Sequence, residues 1–240
     1  MIKFFRKIRQ NLLSEGKTGK YFKYAIGEIL LVVIGILIAL SINNWNETNK
    51  LKKIEEKVLN NIKNDLVQNK QDLLKNVKRH EFQISEFNIL INNIEITQIY
   101  NDSLVPKFRN LISWSSPYLT LASYENLKTD KGIDLILNDS LKKKLVHLHE
   151  TTFKTFIGDI EREEWIHTET ISRPAMYKYF ILNDSGNLVP KDYAELIEDK
   201  DFLSILRFTK NLRAISLRAT KRSVNEIQIV IDAISKELEK

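Results

Sequence analysis

The sequence predicts an all-α protein, with one N-terminal transmembrane helix followed by a long helix and an antiparallel helical bundle. Three observations carry that expectation. Across 240 residues there are only 7 Gly and 4 Pro, too few for a fold rich in turns. Ile, Leu and Val recur at intervals of three and four, the period of a helix with one apolar face. A single stretch of 23 residues, Tyr24 to Asn46, carries one charge, Glu28. Cysteine is absent, which excludes a disulfide framework, a cysteine-ligated zinc site and a thiol nucleophile.

Residues 1–23 form a basic segment expected in the cytoplasm. They hold Lys3, Arg6, Lys7, Arg9, Lys17, Lys20 and Lys23 against Glu15 alone. The rest of the chain balances at thirty basic and thirty acidic residues, so the whole net charge of +6 precedes the apolar stretch. A basicity of that origin reports membrane orientation, not a nucleic-acid surface, and no nucleic-acid partner is expected. Within residues 2–13, Ile2, Phe5, Ile8 and Leu12 fall on one helical stripe with the cations largely elsewhere. This is the pattern of an interfacial helix whose charges face anionic lipid headgroups.

Residues 24–46 would span a membrane. At 1.5 Å per residue they reach about 33 Å, close to the thickness of a bilayer's hydrocarbon core. Tyr21, Phe22 and Tyr24 mark one interface and Trp45 the other. From Glu47 to Asp65 five lysines meet four acids, so the positive-inside rule keeps the N-terminus in the cytoplasm and exports the C-terminal part. A cleavable signal peptide is the competing reading, with Ala39-Leu40-Ser41 as its cleavage site. The long basic start, the glutamate and the length of the apolar stretch favour an uncleaved anchor. Inside the span, Gly27, Leu31, Gly35 and Ala39 share one i+4 ridge of mostly small residues, where a second helix can approach closely. Glu28 lies beside that ridge, either snorkelling to the interface or meeting a partner helix. The partner expected there is a membrane protein or a second copy of the chain, with lipid around the remainder.

Residues 47–98 read as a helix continuous with the span. Leu66, Leu73, Val77, His80, Ile84, Phe87, Ile91 and Ile94 recur at threes, fours and one seven. Residues 99–240 complete the exported bundle. Asn101-Asp102 and Pro106 break the long helix, and short elements follow from Val105 to Trp114. A helix is expected over Tyr118 to Lys128, ended by Gly132. Asn138-Asp139-Ser140 caps a helix from Leu141 to about Ile171, which Pro174 kinks or restarts. Asn183 to Asn187 is a turn, Asp192 opens a short helix, and a last helix runs from about Asp201 to Leu238. That helix is apolar on two adjacent faces, as one packed between neighbours must be.

The block YAIGEILLVVIGILIALSINNWNE, after its basic start, closely resembles the signature of a family of uncharacterised membrane proteins of Gram-negative bacteria. Ser123-Tyr124-Glu125-Asn126-Leu127-Lys128, with Leu135-Ile136 and Asn138 to Leu141, is similar to that family's middle segment. The resemblance implies an inner-membrane protein of unknown function, with Gly27, Glu28, Asn43, Asn44 and Trp45 as part of the family pattern. It supplies no catalytic residue and no cofactor.

The candidate chemistry is thin. Glu164-x-x-His167 has the spacing of di-metal carboxylate bundles, but no second copy exists to complete such a site. His147-x-His149 puts two imidazoles about 200° apart on a helix, too divergent for one ion, and HETTF lacks the second histidine of a zinc-protease motif. His147 with Glu150 reads as a surface pair, and His80 as a core or interface histidine. The run Arg207, Lys210, Arg213, Arg218, Lys221 and Arg222 offers a grip for an anion. Cross-helix pairing with Glu150, Asp159, Glu161, Glu163, Glu164 and Glu169 accounts for it better. The expectation is therefore not an enzyme but an interaction or scaffold protein of a cell-envelope membrane complex, with no catalytic, cofactor or metal residues. The alternative is an exported ligand-sensing bundle, disfavoured because the 23 residues before the span hold no output domain.

Overall fold

The structure, a computed structural model, describes residues 18–240, so the interfacial helix expected over residues 2–13 lies outside the described residues. The side chains of Tyr21 and Tyr24 are likewise outside them. The chain divides into two compact units, Met1–Glu55 and Glu56–Lys240. Helix α1 (Thr18–Asn92) contributes to both.

In the first unit, the part of α1 through the apolar stretch is long and apolar enough to cross a membrane, and none of that stretch is buried. Its Ile, Leu and Val side chains stand exposed, as does Trp45. Beyond the apolar stretch the helix turns polar, with Thr48 donating to the Asn44 carbonyl (2.9 Å) and Lys50 pairing with Glu47 (2.8 Å).

The second unit is almost wholly helical. After α1 a widened turn (Asn93–Thr97) ends at Gln98, whose φ of 54° reverses the chain. Short helices α2 (Val105–Phe108) and α3 (Ala122–Asn126) follow. Helix α4 (Asp139–His147) opens where expected, the Asn138 side chain accepting from the N–H groups of Ser140 (3.0 Å) and Leu141 (3.2 Å). The helical run continues through α5 (Arg162–His167) and α6 (Arg173–Tyr179). A two-stranded hairpin comes next, β1 (Phe180–Leu182) with β2 (Leu188–Pro190), then α7 (Tyr193–Glu198) and α8 (Lys200–Leu238). The hairpin's turn is the expected one: Asn183 accepts from the N–H groups of Ser185 and Asn187, and Gly186 supplies φ 72°.

Three widened stretches with i→i+5 bonding interrupt the run from α4 to α6: Leu148–Phe153, Phe156–Glu161 and Thr168–Ser172. Their cause is legible in the spacing of inward residues. Phe156, Ile160, Glu164, Thr168 and Ser172 follow one another at fours. With 3.6 residues per turn, each step of four drifts about 40° around a regular helix, and four such steps would carry Ser172 out of the interior. Widened turns rotate less per residue and keep the row facing inward. The last of them also lets Pro174 sit at the start of α6, where its missing N–H is not needed. The helix therefore restarts there, without a break in the chain's course.

Along α1 and the turn that follows it, the most deeply buried positions, Leu59, Ile62, Leu66, Asn69, Leu73, Asn76, His80, Gln83, Phe87, Leu90 and Ile94, form an unbroken alternation of three and four, with Glu55, Val77, Glu86 and Ile91 less deeply buried beside it. In α8 the most deeply buried are Phe202, Leu206, Thr209, Arg213, Ser216, Thr220, Ser223, Ile227, Val230 and Ile234, the same alternation, with Ile231 buried beside it. Both rows are apolar at their ends and polar in the middle. Two hydrophobic clusters result. One gathers Leu59 to Leu73 with Tyr124, Leu127, residues of α4 and Ile227 to Ile234. The other gathers Phe87 to Ile94 with Leu104, Phe108, Phe180, Leu196, Phe202 and Leu206. Partners along α1 and α8 descend in opposite order: Asn76 meets Thr220 (3.4 Å), Lys210 meets Asn88 (3.2 Å), and Arg207 meets Glu95.

One expected helix is not formed as written. Residues Tyr118 to Leu121 are not helical, and helix begins only at Ala122. Pro117 disfavours a helical conformation at Ser116, and Asn69 takes both backbone groups of Thr120, leaving nothing for a helical ladder.

Candidate functional site

The polar stretch between the two apolar clusters is the most unusual part of the second unit. From α1 come Asn69, Asn76, His80 and Gln83; from the middle run Glu164, Thr168 and Ser172; from α8 Thr209, Arg213, Ser216, Thr220 and Ser223. All are buried, in positions where a stable core would place Leu or Ile. Burying polar groups is tolerated only when they are bonded, so their partners show what they do.

Half of this layer holds an extended strap, residues 113–120, against α1. Asn69 donates to the Thr120 carbonyl (2.8 Å) and accepts from its N–H (2.7 Å). Asn76 donates to Ser115 at both its carbonyl (2.7 Å) and its hydroxyl (2.9 Å). Gln83 donates to the Ser113 carbonyl (2.5 Å), and Asp65 accepts from the Ser123 N–H (3.0 Å). The amides stand in for the neighbouring strand that an extended segment otherwise needs. Replacing Asn69 by Ala removes both bonds to Thr120, and a net loss of about 1–3 kcal/mol is expected. Hydrogen exchange at the Thr120 amide checks it: protection should fall there first, and unchanged protection would show the strap is held by other contacts.

The other half centres on Arg213 and Glu164, which form a salt bridge with side chains 0% and 2% exposed. Ser216 donates to the second Glu164 oxygen (2.6 Å), and Arg213 also reaches the Ser113 carbonyl (3.4 Å). Burial holds the Arg213 guanidinium down to about 10. His80 lies 1% exposed in the same layer; burial, with Arg213 and Arg79 nearby, lowers its imidazole to about 4, so it is neutral. Thr209 gives its one hydroxyl proton to the Ile205 carbonyl (2.7 Å), so at 2.8 Å His167 Nε2 must be the donor. His167 is lowered by burial as well. The side chains of Thr168 and Ser172 have buried oxygens without a partner among the described residues.

These positions settle several sequence readings. Glu164 and His167 do not converge: one pairs with Arg213, the other with Thr209. Among the described residues no group of three His, Asp or Glu could hold a metal ion. His149 is buried and stacked on Tyr124 (3.9 Å between centroids, 8° between planes), its imidazole lowered to about 4 by burial. His147 is exposed and approaches Glu226 (3.8 Å), while Glu150 bonds Lys128 and Lys154; the expected His147–Glu150 pair is not made. Among the described residues, Arg213–Glu164 is the one expected cross-helix pair between the basic and acidic runs that forms. Lys221 turns to Glu81 of α1, Arg207 to Glu95 in the widened turn that follows it, and Arg222 to Glu226 of its own helix. Glu169 pairs with Arg173 one turn on, and Glu161 accepts from Ser116.

In the first unit Gly27, Gly35 and Ala39 fall on one face of α1. A Cβ built at either glycine meets nothing within 4 Å, so the ridge is open. Glu28 lies half-buried beside it and lines a shallow groove of about 330 Å³ with Ala25, Ile29, Val32 and Val33.

The polar middle of the seam is what sequence reasoning missed. Asn69, Asn76 and Gln83 are absent from the expected seam, which takes their apolar neighbours Val77 and Ile84; their signal is that they complete the alternation of three and four.

Residues 28–210 match a family described as a family of unknown function (DUF6090), about three quarters of the chain. No curated protein and no solved structure matches.

Proposed function

Because the chain belongs to this family of unknown function (DUF6090), membership brings no activity with it, and we propose a role from its own residues. It is a membrane-anchored interaction or scaffold protein, an accessory subunit of a cell-envelope membrane complex, and not an enzyme. The anchor sits in the bacterial inner membrane, with the basic N-terminus cytoplasmic and the C-terminal domain an antiparallel, coiled-coil-like helical bundle in the periplasm. The carrying observation is the apolar part of α1, none of it buried and interrupted by one carboxylate. A surface of that extent leaves water by entering lipid or by meeting protein. The charge asymmetry around it supplies the orientation.

Lipid covers most of that helix in this reading, and the ridge of Gly27, Gly35 and Ala39 with Glu28 receives a membrane-protein partner or a second copy. Close packing and polar contacts hold helices together in lipid, each polar contact contributing about 0.5–2 kcal/mol. Purification in mild detergent is expected to recover a stoichiometric membrane partner or a self-associated form. Gly35→Leu should displace it, and Glu28→Gln should weaken it if charge matters. If both variants migrate like the native protein on native gels, the ridge is only an anchor surface. A C-terminal reporter active only in the cytoplasm would overturn the orientation.

A further inference from the structure

A groove of about 620 Å³ runs between α1 and the strap, within the range of ligand sites. Lys75, Lys78, Arg79 and Phe82 line it from α1 at intervals that place them on one helix face. Ser115 and Tyr118 line it from the strap. Among its lining residues three cations meet one acid, Asp72, which pairs with Lys75 (2.9 Å); a second carboxylate, Glu161, accepts from the Ser116 hydroxyl at the strap. Arg79 donates to the Ser113 hydroxyl (3.0 Å) and meets no carboxylate among the described residues. Lys78 has no hydrogen bond or ion pair among the described residues. Tyr118 is 92% exposed and Phe82 59%, rings that a free surface does not need.

The strap adds the feature that selects the ligand. Ser116, Tyr118 and Thr120 are exposed while Ser115, Pro117 and Leu119 are half-buried, the period of two of an extended strand. Its carbonyls at Ser113, Ser115 and Thr120 are held from α1, yet among the described residues the backbone N–H groups of Ser116 and Tyr118 have no partner. An extended segment with unpaired N–H groups is a free strand edge. Beside it lies unbalanced positive charge.

We propose that this groove binds an extended acidic peptide segment of a partner protein. The segment's backbone pairs with the strap edge, its carboxylates meet Lys78, Arg79 and Lys75, and its apolar side chains rest on Tyr118 and Phe82. The buried amides of Asn69, Asn76 and Gln83 keep the strap extended in readiness, so little ordering remains at binding. The proposal rests on the interaction reading and names the chemistry of the partner.

The test uses the full chain in detergent micelles and fluorescence anisotropy. The probe is a fluorescein-labelled peptide alternating Glu and Val, compared with its counterpart carrying Gln for Glu. Only the Glu peptide should bind, and added salt should weaken it as exposed charges are screened. Lys78→Glu should weaken binding about tenfold, and Lys75→Glu with Lys78→Glu further. An unchanged melting temperature confirms that the variants fold, since both side chains are exposed. Tyr118→Ser should weaken the peptide without altering the salt dependence. Equal binding of the two peptides, or Lys78→Glu without effect, overturns the proposal. Displacement of the peptide by inorganic phosphate alone would assign the groove to a simple anion and overturn it too. The two readings separate in a detergent pulldown: if native and Lys78→Glu chains recover the same membrane partner, the scaffold reading stands and this groove is not its docking site. If the peptide binds but no partner is recovered, the groove stands and the scaffold reading falls.

Discussion

Arg213→Ala is expected to destabilise the C-terminal unit by about 3–5 kcal/mol, the cost of leaving one charge of a buried pair alone. The Glu164 carboxylate would keep Ser216 as its donor but lose the guanidinium, in a layer with no access to water. Glu164→Gln should cost less than Arg213→Ala, since the amide oxygen can still accept from Arg213. The paired replacement Glu164→Gln with Arg213→Met should recover most of the loss, because neither charge then remains to be desolvated. Urea unfolding followed in the near ultraviolet, where packed rings such as Tyr124 report tertiary structure, measures all three. A loss below about 1 kcal/mol for Arg213→Ala would mean that water reaches the layer.

Acid is expected to unfold the same unit through its buried histidines, His80 and His149 foremost, with His167 lowered in the same direction. His80 and His149 are buried and neutral, with folded values near 4 against an ordinary 6.5. The unfolded chain therefore binds protons that the folded chain refuses between those values. Stability is complete above about pH 6.5 and falls as pH drops toward 4, by up to about 1.4 kcal/mol per pH unit and about 3 kcal/mol for each histidine. Arg213 and Arg79 oppose protonation of His80; Glu150 and Asp65 favour it at His149, where burial still prevails. Glu150 itself, held down to about 2 by its bonds to Lys128 and Lys154, titrates below this window. Glu161, raised by burial, pulls weakly the other way. His149→Phe keeps the stack on Tyr124 and should remove about half of the slope between pH 6.5 and 4; an unchanged slope would place the acid sensitivity elsewhere.

Helix caps and breaks were legible because they depend on neighbours in sequence. Asn138 and Asp192, expected to open helices, each accept backbone N–H bonds at a helix start, and α8 runs within a residue of its expected bounds. The apolar stretch was legible for the same reason. What escaped depends on residues far apart. Tyr118 reads as the start of a helix until Asn69, some fifty positions away, claims the backbone of Thr120. Arg213 reads as one of six surface cations until the alternation along α8 places it inward, and Glu164 is its match only because the widened turns keep a row of fours on one face. Charge composition could not separate that pair from Arg207 or Lys221, whose partners lie on a different helix.

Two helices with an unbroken three-four alternation can slide past one another by seven residues, about 10 Å, and present the same geometry. A uniformly apolar seam would leave those slipped alignments close in energy to the native one. Here one step in either direction is penalised. It carries Arg213 to the place of Leu206, among Phe87 and Leu90, or strands the strap's amides opposite apolar side chains. The chain gives up core stability at the middle of its seam and gains a single permitted alignment, so that refolding has one product and not a family of shifted ones.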